Sequence, residues 1–435
     1  MHHSYEGLDR AAGAAGRGLL VPLRERDFRL LWAGMCVSLL GDGAFLVALA
    51  WQVYQLSDAP TAMGAVGVAM TVPTIVFLLV GGVVSDRVDR RRLMVAADVA
   101  RLAAAALLAA LGLSGALEIW HIAVIVAVYG TGQAFFAPAF DAIVPDLLAP
   151  HQLAPANALD QLVRPIALRM VGPALGGVLV GAFGAGAVFA LDAASFGCSA
   201  AALLLMRPAR TRAQGADGSV VADLREGWRF VRDRRWLWVT FVSAAIAYLL
   251  FMGPVEVLVP YVVKHHMHGT ASDLGLVFGA GGLASIATAM ALGQLGLPRR
   301  GMTFMYLAWT VATLAVAGYG LGTAVWHLML ASAAFNALET AGTIVWITAK
   351  QQHVPSRMLG RVSSLDWLIS IGLLPVSFAL TGPVSAVAGA QATLAVAGVA
   401  GAAVTLAGLL VPGVRAVERS GAPVDVRQPA PMTIV

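Results

Sequence analysis

Five ionisable residues, Asp42, Arg164, Arg169, Glu256 and Glu339, stand inside long apolar runs. A charge at bilayer depth is costly unless it faces a partner or water, so each is a functional candidate. A carboxylate withdrawn from water favours its protonated form and, once ionised, a cationic partner. Asp42, Glu256 and Glu339 are therefore candidates for binding a proton and a cationic substrate in alternation, with Asp42 and Glu339 ranked above Glu256. Asp160 and Arg164 are four residues apart and can pair on one helix face. Arg169 lies on another face, beside the carbonyl that Pro173 leaves without a backbone partner. Asp98 with Arg101, Asp160, Asp192 and Asp366 read instead as inter-helix ion pairs that hold a bundle together. His265, His266 and His268 are donors of the kind that soft divalent metals accept. Between two spans they read as a solvated loop, and no metal site is expected.

The elements that must position these groups follow from composition. The chain has 435 residues, 59% hydrophobic and only 12% charged. A water-soluble surface needs roughly twice that charge density. The charges fall in short clusters between apolar runs long enough to cross about 30 Å of hydrocarbon. Spans are expected near 29–56, 62–84, 93–114, 120–142, 158–182 and 185–206, then 236–262, 273–297, 302–321, 325–349, 362–388 and 390–412. Basic residues total 29, and all but Arg101, Arg164, Arg169 and Lys264 fall in alternate connections and the two tails. Basic segments resist translocation, which predicts both termini in the cytoplasm. The N-terminal stretch lacks the form of a removable signal peptide.

Residues 1–27 read as a cytoplasmic tail, 28–206 as a first six-helix lobe and 236–412 as a second, with 413–435 as a C-terminal tail. Between the lobes, 207–235 places Val221, Leu224, Trp228 and Val231 at helical spacing among arginines. That pattern predicts an amphipathic helix lying on the anionic leaflet. Cys36 and Cys198 read as packing residues. Trp51, Tyr54, Trp120, Trp309, Trp326 and Trp346 read mostly as anchors at the membrane interface.

Between the second and third spans the chain reads Gly82, three residues, Asp86-Arg87, two residues, then Arg90-Arg91-Arg92. This resembles the loop motif of the major facilitator superfamily, with Asp89 in place of that motif's second glycine. The resemblance implies a cytoplasmic gate of Gly82, Asp86, Arg87, Arg90 and Arg91, whose arginines pair with acids across the seam between lobes and lock an outward-open state. Gly172-Pro173, followed by Gly176-Gly177, is similar to the fifth-span motif of the superfamily's antiporters, without its upstream glycine, which would fall at Leu168. Phe28 to Trp32, Ser38 to Asp42, Phe135 to Pro138, Pro145-Asp146, Leu191 to Phe196 and Gly360-Arg361-Val362 resemble the branch of macrolide and siderophore exporters. The fourth span lacks the arginine that many proton-coupled exporters carry, and Arg169 is the candidate to stand in for it.

The resemblance implies an all-α membrane protein of twelve transmembrane helices in two lobes. It implies a secondary transporter in the bacterial inner membrane, exporting small amphiphilic compounds in exchange for protons by alternating access. Its partners would be a small-molecule substrate, protons and membrane lipids, with no nucleic acid and no cofactor, and the chain would act as a monomer. Alternatives are a carrier for one dedicated metabolite such as a siderophore, and a receptor or scaffold on the same fold. No nucleotide-binding Gly-Lys-Ser/Thr loop and no nucleophile paired with a base stand in the spans, which argues against ATP use and against an enzyme.

Overall fold

The computed structural model describes residues 20–207, 220–295 and 298–419. Twelve helices are long and apolar enough to cross a membrane, and among the described residues there is no strand. Hydrocarbon offers the backbone no partners, so apolar runs close their own hydrogen bonds as helices.

The first lobe holds α1 (Arg26–Leu56), α2 (Pro60–Arg87), α3 (Arg90–Ser114) and α4 (Ile119–Leu147). Next comes α5, built from Pro150–Pro165, a π-helical stretch Ile166–Val171 and Gly172–Phe183, and then α6 (Ala185–Leu205). A linker helix, Val220–Arg232, leads to the second lobe. There α7 is Arg235–Tyr261 with a π-helical end Val262–His266, and α8 is Ala271–Leu295. The lobe continues with α9 (Gly301–Leu321) and α10 (Val325–His353). It ends with α11, in two pieces Ser356–Gly372 and Leu374–Ala388, and α12 (Ala390–Leu410).

Two local features recur in the two lobes. Gly184 between α5 and α6 (φ +80°) and Gly389 between α11 and α12 (φ +84°) make matching one-residue turns in a region that L side chains rarely adopt. Likewise α4 opens on Ile119-Trp-His and α10 on Val325-Trp-His. The His121 ring accepts the Glu118 N–H at 3.1 Å, and the His327 ring accepts the Thr323 and Ala324 N–H groups at 3.2 Å. In both, an exposed tryptophan lies against the histidine ring.

Contacts between the lobes run chiefly along α5 with α8 and α2 with α11. A Cβ on Gly177 would stand 3.0 Å from the Gly275 Cα, and one on Gly382 would stand 2.6 Å from the Thr61 Cα. These approaches lie toward the end of the molecule whose loops are poor in arginine. Tyr54, at 0% exposure, donates to the Val257 carbonyl there at 2.5 Å, and Lys264 donates to the Tyr54 carbonyl. Asp58 lies 3.8 Å from the Lys264 Nζ and 3.4 Å from the His265 Nε2. Toward the arginine-rich end α2 packs on α4 of its own lobe, with the Phe77 and Phe135 rings 6.0 Å apart.

Several expectations need correction. His265 is no loop residue: it closes α7, is half-buried, and packs its ring on Tyr54 and Tyr261. Among the described residues no His, Cys, Asp or Glu group is placed to hold a metal ion. Tyr54 and Trp346 are buried in the bundle, whereas Trp120 and Trp326 stay exposed as anchors would. The linker helix is docked as well as amphipathic. Val231 is fully buried, Gly227 packs on Arg361, and Glu226 accepts from Arg361, while Trp228 remains exposed.

Candidate functional site

Glu339 is the central residue of α10. Its carboxylate accepts from the Arg169 guanidinium at 3.3 Å and from the Thr343 hydroxyl at 3.0 Å, so one bond crosses between the lobes. The irregular backbone of α5 puts Arg169 there. Pro173 has no N–H, and the Gly172 N–H reaches back five residues to the Ala167 carbonyl instead of four. The Arg169 carbonyl then lies against α8, where only a glycine, Gly282, leaves it room. On the other side Gly172 and Gly176 let α5 approach α1, their Cβ positions standing 2.7 Å from the Gly43 and Ala44 Cα atoms. Gly177 makes the approach to α8. These glycines thus set two seams, one within a lobe and one between lobes.

Behind Glu339 the second lobe leaves a small cavity of about 40 Å³ walled by Tyr248, Phe251, Tyr306, Trp309 and Phe335. The Trp309 indole donates to the Glu339 carbonyl at 3.3 Å, and Gly342 leaves room for that ring. Aromatic rings with one carboxylate among them offer favourable contacts to the cationic group of a partly apolar molecule. Glu256 is half-buried, and among the described residues it makes no hydrogen bond or ion pair.

A second polar group lies wholly within the first lobe. Asp42 accepts from the Tyr129 hydroxyl of α4, and that same hydroxyl lies 3.2 Å from Asp192 of α6. Beside them Arg101 pairs with Asp98 at 2.5 Å, both buried, with its guanidinium over the Phe136 and Phe196 rings. Asp192 is therefore not the ion-pair partner expected of it. Among the described residues its partners are Tyr129 and Ser195. Tyr129 was missed altogether, because an apolar run with one tyrosine gives no hint of which helix that ring will face.

Arg164 binds Asp160 at 2.7 Å within α5, and Lys350 binds Asp366 at 2.5 Å with Trp346 donating to the same carboxylate. The surroundings of Gly82 and the side chains of Asp86 and Arg87 lie outside what the structure describes. Arg90 binds Asp146 at 2.6 Å on α4, and Arg91 donates to the Leu203 and Leu204 carbonyls at the end of α6. These contacts lie within the first lobe. At the start of α3, Arg91 reaches the exposed carbonyls of a neighbouring helix end.

The family profile described as transmembrane secretion effector, a branch of the major facilitator superfamily, matches residues 17–432. The chain belongs to that family, one of multi-pass transporters rather than enzymes. It is 23% identical over 270 residues to macrolide efflux protein A of Streptococcus pyogenes, covering 62% of this chain and 65% of that protein. The match thus spans just under two thirds of that relative. It is 25% identical over 405 residues to the multidrug efflux pump Tap of Mycobacterium tuberculosis, covering 91% of this chain and 95% of the pump. The fold is shared with a bacterial homologue of the lysosomal transporter Spinster, solved inward-facing and unoccupied (TM-score 0.64, 15% identity, 91% and 97% of the two chains). It is shared too with the nucleoside transporter NupG (TM-score 0.63, 9% identity, 86% and 98%).

Proposed function

We propose that this chain is a proton-coupled exporter of small amphiphilic compounds, acting across a bacterial inner membrane by rocking its two lobes about a central site. The observation that carries this reading is the Arg169–Glu339 bond, an ionic contact between lobes at the middle of α10, beside a small aromatic cavity. Rocking must break it, and either a proton or a cationic substrate on Glu339 would do so. With the arginine-rich end in the cytoplasm, the seams of α5 with α8 and α2 with α11 close the outer side, and the arrangement is inward-facing. Two efflux proteins among the relatives support export as the direction.

The test is efflux of a panel of dyes and antibiotics from cells expressing the chain. The expected result is export that stops when a protonophore collapses the gradient and that falls in Glu339→Gln. Accumulation instead of export would reverse the direction. Export that survives collapse would remove proton coupling, and no movement of any compound would favour one dedicated cargo or a receptor.

A further inference from the structure

The polar group of the first lobe has a shortage of hydrogens. The Tyr129 hydroxyl carries one, and it is spent on Asp42. The second contact, 3.2 Å to Asp192, needs a hydrogen that an ionised carboxylate cannot supply. Two bare carboxylates facing one hydroxyl in a dry interior would also leave charge without a counter-ion. The nearest guanidinium, Arg101, is already engaged by Asp98. Independently, Asp98 Oδ2 and Arg101 Nε, in side chains 0% and 2% exposed, have no hydrogen-bond partner among the described residues. The Asp98 oxygen lacks a donor, a second place short of a hydrogen, whereas the Arg101 N–H lacks an acceptor.

The surroundings are built to hold it. Tyr129 is clamped by the Phe45 ring stacked at 4.5 Å and the Phe196 edge at 5.5 Å. Gly41 leaves the space that the Asp192 carboxylate fills, and a Cβ there would stand 2.5 Å from its Oδ1. Gly132 does the same for the Arg101 stem, at 2.7 Å from its Cγ. Of the three linked groups, only Asp42 is partly exposed; Tyr129 and Asp192 are sealed.

The geometry points to a proton-binding site formed by Asp42, Tyr129 and Asp192, in which one proton is shared between the two carboxylates through the tyrosine hydroxyl and enters through Asp42. The transfer balances without a lasting phenolate. A protonated Asp42 gives its hydrogen to the Tyr129 oxygen as the Tyr129 hydrogen passes to Asp192, so Asp42 ends ionised and Asp192 neutral. The charged groups acting on this chain are Asp98 and Arg101 from α3 and Arg164 from α5; the Ser195 hydroxyl of α6 also faces it. The inference deepens the proposed proton coupling by placing a proton store in the lobe that does not carry Glu339.

Infrared difference spectroscopy of the purified full-length protein, between acid and alkaline buffer, reads the carbonyl stretch of protonated carboxyls and needs no cargo. Asp42→Asn and Asp192→Asn should each remove about one protonated carboxyl per chain, since an asparagine amide supplies the missing hydrogen. Tyr129→Phe keeps the ring against Phe45 and should shift the band by uncoupling the two acids. Asp366→Asn should leave it unchanged. A band unaltered by either asparagine variant overturns the proposal. Should those variants fail to elute as folded protein, an unshifted band in Tyr129→Phe overturns it alone. Export that survives gradient collapse beside the expected band changes would remove proton coupling and leave the site. Proton-dependent export with unaltered bands would remove the site and leave the coupling.

Discussion

At the scale of residues, the charges in the spans divide by what they touch. Glu339 and Arg169 meet across the lobes, with Arg169 half-exposed at 52% and Glu339 at 18%. Asp98 and Arg101 meet where water is absent. The two pairs should answer differently to substitution. Asp98→Ala strands a buried guanidinium and should destabilise the protein by about 3–5 kcal/mol, seen as a drop in the Tm of the detergent-solubilised protein. Reversing Arg169 to Glu should leave the Tm nearly unchanged, because a half-exposed pair contributes little. Efflux should nevertheless fall about tenfold, the loss of one charge-assisted hydrogen bond. Exchanging the two, Arg169→Glu with Glu339→Arg, restores the contact but moves the carboxylate off the cavity wall, so efflux should stay low. Recovery in the exchanged protein would mean that the pair is only a seal. The intramembrane charges themselves were legible in the sequence, because acids and bases inside apolar runs are conspicuous. Their pairings across helices were not. The Asp160–Arg164 pair follows from spacing alone, whereas Tyr129 with Asp42 and Asp192 depends on the rotation of three helices whose apolar faces carry little directional signal.

At the scale of elements, α5 concentrates most of what the bundle can do. Pro173 forces an irregular turn, the π-helical stretch Ile166–Val171 absorbs it, and Arg169 and its carbonyl are thereby turned to the seam. From the sequence a proline kink was foreseeable; its form as a widened turn was not, because that depends on Gly282 opposite. The twelve spans were readable from length and apolarity, yet several helices run beyond the expected ends. The first starts at Arg26 and the fifth apolar stretch at Pro155. Hydropathy marks where hydrocarbon ends, but backbone hydrogen bonds carry a helix on into the interface. Gly177 faces Gly275 closely enough that a leucine there must push α5 away from α8. Gly177→Leu should therefore loosen the seam, and a cysteine placed at Ser272 should react several-fold faster with a membrane-impermeant maleimide added outside. Unchanged labelling would show that the seam is not held by this approach.

At the scale of the whole molecule, the two lobes share their repeat in small things, the glycine turns at 184 and 389 and the Trp-His openings of α4 and α10, while their polar interiors differ. The first lobe holds a carboxylate–tyrosine chain open only at Asp42, and the second a small aromatic cavity beside Glu339. On the proposed reading, such an asymmetry would place a proton store in one lobe and the cargo beside Glu339 in the other, and the two could exchange influence only if the lobes move against each other. That movement can be stopped directly. A Cβ on Gly181 would lie 3.1 Å from the Ser272 Oγ, which puts a cysteine pair at 181 and 272 within disulfide reach between α5 and α8. With Cys36 and Cys198 first changed to serine, the oxidised pair should hold the arginine-poor end shut and abolish efflux, and a reductant should restore it. Substrate should still bind to the locked protein from the arginine-rich side, because the cavity lies in one lobe and needs no closure. Efflux through the oxidised protein would mean that cargo passes without opening this seam, and the exchange of influence between the lobes would then have to travel by another route.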